Sequence, residues 1–422
     1  MAEIKAFCAV RPRKDLADKI AALPYDVYSR SEAAELVKKN PCSFLKIDRP
    51  EVQFDQETDM YAPQVYQAAG DTLREMMEKG EFVQEETPCL YLYELTMDGR
   101  TQTGVCCCAS VADYENGVIK RHENTRQDKE EDRIRHVEAC GAQTGPIFLA
   151  CRDHDRLTAL EEQVKKEEPL YSFTAEDGIR HQMWRISRGE TIHEICEIFG
   201  GMDSLYIADG HHRAASAVSV AVRRRKMTDP AGQIGKDGEV SLEMLPESEA
   251  FLSVIFPESE LKVLDYNRWV KDLNGASGEE FLEKVKERFH LTPLSGAAHP
   301  EKKGVFTMYL EGQWYRLEEK DRKNRTDAVD SLDVSILQNE ILSPILGIGD
   351  PKTDQRIRFI GGIRGLSSLE QMTDENGGVA FAMYPTSMEE LFRVADQGRL
   401  MPPKSTWFEP KLRSGLFIHR LS

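Results

Sequence analysis

The turn Asp209-Gly210-His211-His212-Arg213 carries the residue types that suit a phosphate. Glycine lets a backbone approach a ligand closely, and a helix that starts after it offers free N–H groups at the positive end of its dipole. The side chains of His211, His212 and Arg213 add donors for phosphate oxygens, and a guanidinium can bind in bidentate fashion. Asp209 suits two roles, a helix N-cap or a Mg²⁺ ligand beside bound phosphates. Ala214, Ala215 and Ala217 then allow the helix to pack closely on a sheet. A metal centre is the rival reading of His211-His212. Adjacent helical residues diverge by about 100°, which makes them a poor chelating pair.

Two further clusters carry charge at element ends. Lys120-Arg121-His122-Glu123 places a carboxylate among cations, where it could accept a hydroxyl proton as a general base. The competing account is a solvated charged face. Pro402-Pro403-Lys404-Ser405-Thr406-Trp407 combines a stiff approach with a lysine and two hydroxyls, read either as an anion-binding set or as a rigid surface turn. Other patterns carry less. Gly232-x-x-Gly235-Lys236 lacks the spacing and the Ser/Thr of a P-loop. Gly361-Gly362-x-x-Gly365 lacks the dinucleotide fingerprint, and His193-x-x-Cys196 reads as a helix face. Arg223-Arg224-Arg225-Lys226 sits at a helix C-terminus, where the dipole favours cations.

These residues need elements to hold them. An apolar strand over 204–208 leads into the Asp-Gly turn and a helix from His211 to Lys226. Residues 120–141 are densely charged and contain a helix capped by Thr125-x-x-Asp128 and closed by Gly141, with a short strand over 146–150 after it. Upstream, Ser29-x-x-Glu32 opens a helix that stops near Asn40-Pro41. A second helix covers 61–80, and Asp98-Gly99 joins two strands in a hairpin. Residues 227–250 read as an exposed loop, a strand follows over 251–256, and Pro257-Glu258 marks a candidate domain boundary. Further on come a helix over 278–289, a hairpin at Gly312-Gln313, a long helix over 327–342 and a strand over 356–360. A last strand over 379–384 leads to a helix capped by Thr386-x-x-Glu389. This alternation predicts an α/β or α+β protein.

Length and composition narrow the class. The chain has 422 residues, too many for one ordinary core, and 40% of them are hydrophobic. Fifty-five basic residues against 72 acidic ones give a net charge of −17, which opposes non-specific binding to nucleic acid or anionic lipid. No stretch reaches the roughly 20 apolar residues of a membrane span, and the N-terminal residues lack the apolar run of a signal peptide. The nine cysteines, three of them consecutive at 106–108, read as free thiols of a cytoplasmic protein rather than a disulfide framework.

Ile207-Ala208-Asp209-Gly210-His211-His212-Arg213 resembles the signature of the ParB/sulfiredoxin-like superfamily in its free-serine-kinase branch. Over essentially the whole length, Pro24-Tyr25-Asp26-Val27, Lys120 to Thr125, the Asp209 turn and Pro402 to Thr406 resemble domain-of-unknown-function family 1015. The free serine kinases share three of these places in the same order. His122-Glu123 resembles the segment that supplies their catalytic glutamate, and Asp209 to Arg213 resembles their phosphate loop. Pro385-Thr386, Glu389-Glu390, Gly398 and Pro403 to Thr406 resemble their C-terminal end.

The resemblance implies an α/β fold in three parts. They are an N-terminal α/β domain (1–118), a ParB/sulfiredoxin-like nucleotide-binding core (119–256) and a C-terminal α/β domain completing the site (257–422). It also implies a nucleotide-dependent phosphotransferase using ATP or ADP on a small hydroxyl metabolite, with free L-serine favoured. Glu123 and Asp209 would be catalytic, Asp209 with Mg²⁺ if one is bound. Gly210, His211, His212, Arg213, Lys120, Arg121, Lys404, Ser405 and Thr406 would hold phosphates. The alternatives are a non-catalytic nucleotide-binding regulator and the same site used for phosphoserine breakdown. His211 stands where sulfiredoxin chemistry needs a cysteine, and the acidic charge disfavours ParB-type DNA binding.

Overall fold

The computed structural model describes residues 1–228, 241–320 and 325–422. They form two compact units, one of residues 1–261 with 410–422 and the other of residues 262–409. Gly232-x-x-Gly235-Lys236 and half of the loop expected over 227–250 lie outside the described residues.

The first unit is built on a nine-stranded mixed sheet. Its strands are β1 (Ile4–Lys5), β2 (Leu90–Met97), β3 (Arg100–Ser110), β4 (Ile119–Lys120), β5 (Ile147–Cys151), β6 (Tyr171–Thr174), β7 (Arg180–Ile186), β8 (Leu205–Asp209) and β9 (Ala250–Pro257). They run in the order β4-β8-β5-β9-β3-β2-β7-β6, with β1 also paired to β3. The pairs β4–β8 and β5–β9 are parallel and the rest antiparallel. The boundary expected after 118 falls inside this sheet, between strands joined through β3 and β9, and the one after 256 falls at the end of β9.

Residue pattern follows position in the sheet. Central β5 and β9 are buried along their whole length, because both faces are covered and neither face can be polar. Cys107 packs with Leu92, Leu149 and Ile255 in one core cluster, while Cys106 and Cys108 turn to the opposite face, as strand alternation requires. All three are fully buried free thiols. The β2–β3 turn pairs Met97 with Arg100 across Asp98 (φ 50°) and Gly99 (φ 76°), the two positive-φ residues of a type I′ turn.

The helices follow the same logic, with shifts at their ends. In α1 (Arg30–Lys39) the capping box of Ser29 and Glu32 is closed on both sides. Next come α2 (Pro63–Glu78), α3 (Gln127–Cys140), α4 (Asp155–Val164), α5 (Gly189–Gly200) and α6 (His211–Thr228). Gly141, at φ 61°, ends α3 as expected. Its start differs, since Arg126 holds the cap position without a side-chain cap. Thr125 instead donates to Glu130 Oε2 at 3.2 Å, a local side-chain bond that competes with capping.

The second unit carries a six-stranded antiparallel sheet of β10 (Tyr266–Val270), β11 (Phe289–Leu294), β12 (Val305–Leu310), β13 (Gln313–Glu319), β14 (Ile357–Gly361) and β15 (Val379–Ala382). Its order is β11-β13-β12-β15-β10-β14. The hairpin turn lies one residue earlier than expected, at Glu311-Gly312. The long helix expected over 327–342 is confined to an α-helical turn Asp333–Leu337 and a π-helical turn Gln338–Leu342. The last helix, Met388–Asp396, is capped by Ser387 and Glu390 rather than by Thr386 and Glu389. Thr386 instead donates to the Ser405 carbonyl at 2.9 Å.

Candidate functional site

Topology brings two of the sequence clusters together. Because β4 and β8 are parallel neighbours, the segments leaving them emerge on the same sheet edge, where open α/β sheets bind ligands. Lys120 pairs with Tyr206, so Glu123 and Asp209 each lie three residues further along their chains. The register of β8 on β5 slips between Ile207 and Asp209, a bulge that re-aims the strand end beside the site.

Helix α6 begins at His211, and Gly210 holds the cap position at φ 91°, a conformation that disfavours any residue with a Cβ. Asp209 is therefore one residue outside the cap. Its Oδ1 accepts from the Gly210 N–H at 3.0 Å, and its Oδ2 accepts from Lys411 Nζ at 2.9 Å. Burial pushes the Asp209 carboxyl up, but Lys411 outweighs it and holds the group at about 2. The carboxylate is still 46% exposed, so water screens this ion pair. With both oxygens engaged, a Mg²⁺ ion would have to displace Lys411. Among the described residues, no group of three or more His, Cys, Asp or Glu is placed to hold a metal.

The two histidines of the turn differ. His211 is buried, its ring packed edge-on against His122 with centroids 4.5 Å apart. Burial pushes its imidazole down to about 4, and burial with the neighbouring His211 pushes His122 to about 3. Both rings are neutral at pH 7. His211 Nδ1 lies 3.8 Å from Glu123 Oε2, while its Nε2 is buried without a hydrogen-bond partner. His212 accepts the Arg126 N–H through Nε2 at 3.0 Å, and burial lowers its pKa as well. Arg213 donates to the Pro146 carbonyl at 3.1 Å and lies over the Tyr25 ring.

The remaining candidates are spread out. Lys120 Nζ stands 5.7 Å from the centroid of the Tyr206 ring, and Arg121 is exposed. Lys404, Ser405 and Thr406 belong to the second unit. There Lys404 is exposed at φ 58° with its Nζ over the Tyr266 ring, and Ser405 donates to the Pro402 carbonyl at 2.6 Å.

A family model described as "Protein of unknown function (DUF1015)" matches residues 4–335. The chain belongs to the DUF1015 family. No curated protein matches it. Solved structures similar to this DUF1015 chain include a free serine kinase in complex with AMP, at 15% identity and a TM-score of 0.35 over 72% of this chain and 86% of that one. A conserved hypothetical protein from Pyrococcus furiosus has 15% identity and a TM-score of 0.32 over 74% and 93%. C-terminally truncated SbnI from Staphylococcus aureus has 12% and 0.36 over 72% and 82%. At those scores the reading of the site in this DUF1015 chain rests on its own geometry.

Sequence reasoning missed the residues that reach the site from the last 13 positions. Residues 410–422 return to the first unit, where His419–Arg420 pair with Ala142–Gln143 and Ser414 bridges Ala22. This return brings Lys411 onto Asp209 and Ser414 against Gly145, beside Arg213. A lone lysine in Pro410-Lys411-Leu412 carries no local signal of its partner.

Proposed function

We propose that this DUF1015 protein is a nucleotide-dependent phosphotransferase acting on the hydroxyl of a small polar metabolite, with ATP or ADP as donor and free L-serine as favoured acceptor. The supporting observation is that Glu123 lies at the strand edge where the Asp209–Arg213 turn begins, 3.8 Å from His211. A proton acceptor and an anion-binding helix start share one edge of the sheet.

The donor phosphates sit on the N–H groups opening α6, which helix geometry leaves without intrahelical acceptors. Gly210 gives them close access, and Arg213, Lys120 and Arg121 offset the transferred charge. Glu123, 38% exposed on its side chain, takes the acceptor's hydroxyl proton as the oxygen attacks the terminal phosphorus and the bond to the leaving nucleotide breaks. His211, neutral at pH 7, is a positioning residue whose buried ring packs on His122 and stands 3.8 Å from Glu123 Oε2. Asp209 and Lys411 fix the approach to the turn. Asp209 would hold Mg²⁺ where that ion accompanies the nucleotide and displaces Lys411. A cytoplasmic place is assigned on the free thiols and charge.

The test is a thermal-shift panel of AMP, ADP, ATP and CTP with and without L-serine and phosphoserine, because a ligand bound only to the native state raises its melting temperature. It is paired with a phosphoserine-formation assay on Glu123→Gln. Turnover in that variant falls by roughly 10²–10⁴ with nucleotide affinity unchanged. Full activity in Glu123→Gln removes Glu123 from the mechanism. A panel in which no nucleotide shifts the melting temperature defeats the reading as a whole.

A further inference from the structure

Behind Arg213, within the first unit, lies a cavity of about 30 Å³. That is enough for a polar head of a few atoms and far too little for a nucleotide base. Tyr25, Asp48, Arg133, His136, Thr144 and Arg213 line it. Buried charges are costly unless paired, so a small cavity that collects two guanidiniums and a carboxylate calls for an explanation.

The hydrogen bonds show what is already used. Arg133 is buried and gives Nε and Nη2 to Asp132 Oδ2 at 3.1 and 2.9 Å, and Tyr66 donates to Asp132 Oδ1 at 2.8 Å. Among the described residues Arg133 Nη1 has no such partner. Asp48 is equally buried, and its Oδ1 accepts from Thr144 Oγ1 at 3.0 Å, with Oδ2 left for another donor. Arg213 uses Nη1 on Pro146, and its other guanidinium nitrogens donate to no acceptor among the described residues. Tyr25 stacks over both guanidiniums, at 4.0 Å from Arg133 and 5.8 Å from Arg213. Gly145 keeps the wall open, since a Cβ there would stand 2.8 Å from Ser414 Oγ and 3.4 Å from Arg213 Nη1. Ser414 Oγ is itself buried without a partner.

Unclaimed donors of two cations and an unclaimed acceptor of one anion, in one small pocket, match a zwitterion. We propose that this cavity is the acceptor-head pocket, taking the α-carboxylate of a small amino acid on Arg133 and Arg213 and its ammonium on Asp48. The inference rests on the phosphotransferase reading and names the chemistry of its acceptor. Arg213 joins the two halves of the site, standing in the first turn of α6 and in the wall of the cavity. A guanidinium fork suits a carboxylate, and a site built to bond both charged ends rejects analogues that lack one of them.

The experiment is isothermal titration of the full chain with L-serine, with glycolate (no ammonium) and with ethanolamine (no carboxylate), each with and without AMP. L-Serine is expected to bind at least tenfold more tightly than either analogue. Asp48→Asn, which keeps shape but removes the charge, is expected to weaken L-serine at least tenfold and leave AMP affinity unchanged. AMP binding without L-serine binding overturns the pocket and leaves the phosphate site standing. Ethanolamine or glycolate equal to L-serine, or Asp48→Asn equal to wild type, also overturns it. Loss of both AMP and L-serine defeats the phosphotransferase reading together with the pocket. The comparison of the three small molecules uses unmodified protein, so it decides the matter even if a variant fails to fold.

Discussion

Lys411 donates to Asp209 Oδ2 at 2.9 Å across 202 positions of sequence. The last stretch of the chain thereby anchors the entrance to α6, and the carboxylate that could have faced a metal ion faces an ammonium. Because the Asp209 carboxylate is 46% exposed, the effect of the pair on stability is small, about 0–1 kcal/mol by the usual measure of exposed ion pairs. Lys411→Met is therefore expected to leave the melting temperature nearly unchanged. It frees Asp209 to titrate closer to an ordinary carboxylate, so the step in AMP affinity that follows Asp209 protonation moves to higher pH than in wild type. Titrations of AMP between pH 3.5 and 6 check this, and identical profiles would remove Lys411 from the site.

Gly210→Ala tests the turn itself. The nearest atom to an added Cβ is Ile147 Cα at 3.7 Å, an ordinary contact, so the cost is conformational. At φ 91° that cost is about 1–2 kcal/mol for an L-residue. Chemical denaturation should show this loss, and AMP affinity should fall because the backbone N–H groups tilt away. A fully stable variant would mean that the turn relaxes to negative φ.

The buried histidines predict an acid-sensitive fold. His122 and His181 are pushed down to about 3 and His211 to about 4, in each case chiefly by burial. Between those values and 6.5 the unfolded chain binds more protons than the native one, so stability rises with pH through this window and is lost as pH falls. Each such site contributes a slope of about 1.4 kcal/mol per pH unit there. His122→Phe retains an aromatic ring against His211 while removing one titration, and urea unfolding at pH 4.5 and 6.0 should show a slope lower by about one proton. An unchanged slope would show that His122 is protonated in the native state.

Two caps give opposite expectations. Ser29→Ala breaks a closed capping box and should cost about 1 kcal/mol. Thr125→Ala removes no cap, since Arg126 holds that position, and should fall within about 0.5 kcal/mol of wild type. Equal losses in denaturant melts would restore Thr125 as the start of α3.

The net charge of −17 predicts no mobility shift of duplex DNA of any sequence at low salt. A salt-sensitive complex would revive a partition-protein role.

The sequence by itself determined what is local. Apolar runs specify β5 and β9, and Asp98-Gly99 specifies its hairpin, because only residues tolerant of positive φ suit a type I′ turn. The strand, glycine and helix around Asp209 were legible for the same reason. Helix ends were less so: Thr125 and Thr386 have the right side chains, but each is claimed by another partner, Glu130 or the Ser405 carbonyl. Tertiary structure decided the chemistry of the candidate site. The parallel pairing of β4 with β8 sets Glu123 beside His211, and burial makes both His122 and His211 neutral, which the His-His-Arg spacing does not reveal. Lys411 on Asp209 and the cavity of Asp48, Arg133 and Arg213 join residues far apart in the chain. Such partnerships depend on burial and long-range strand pairing, and neither leaves a period or a spacing in the sequence.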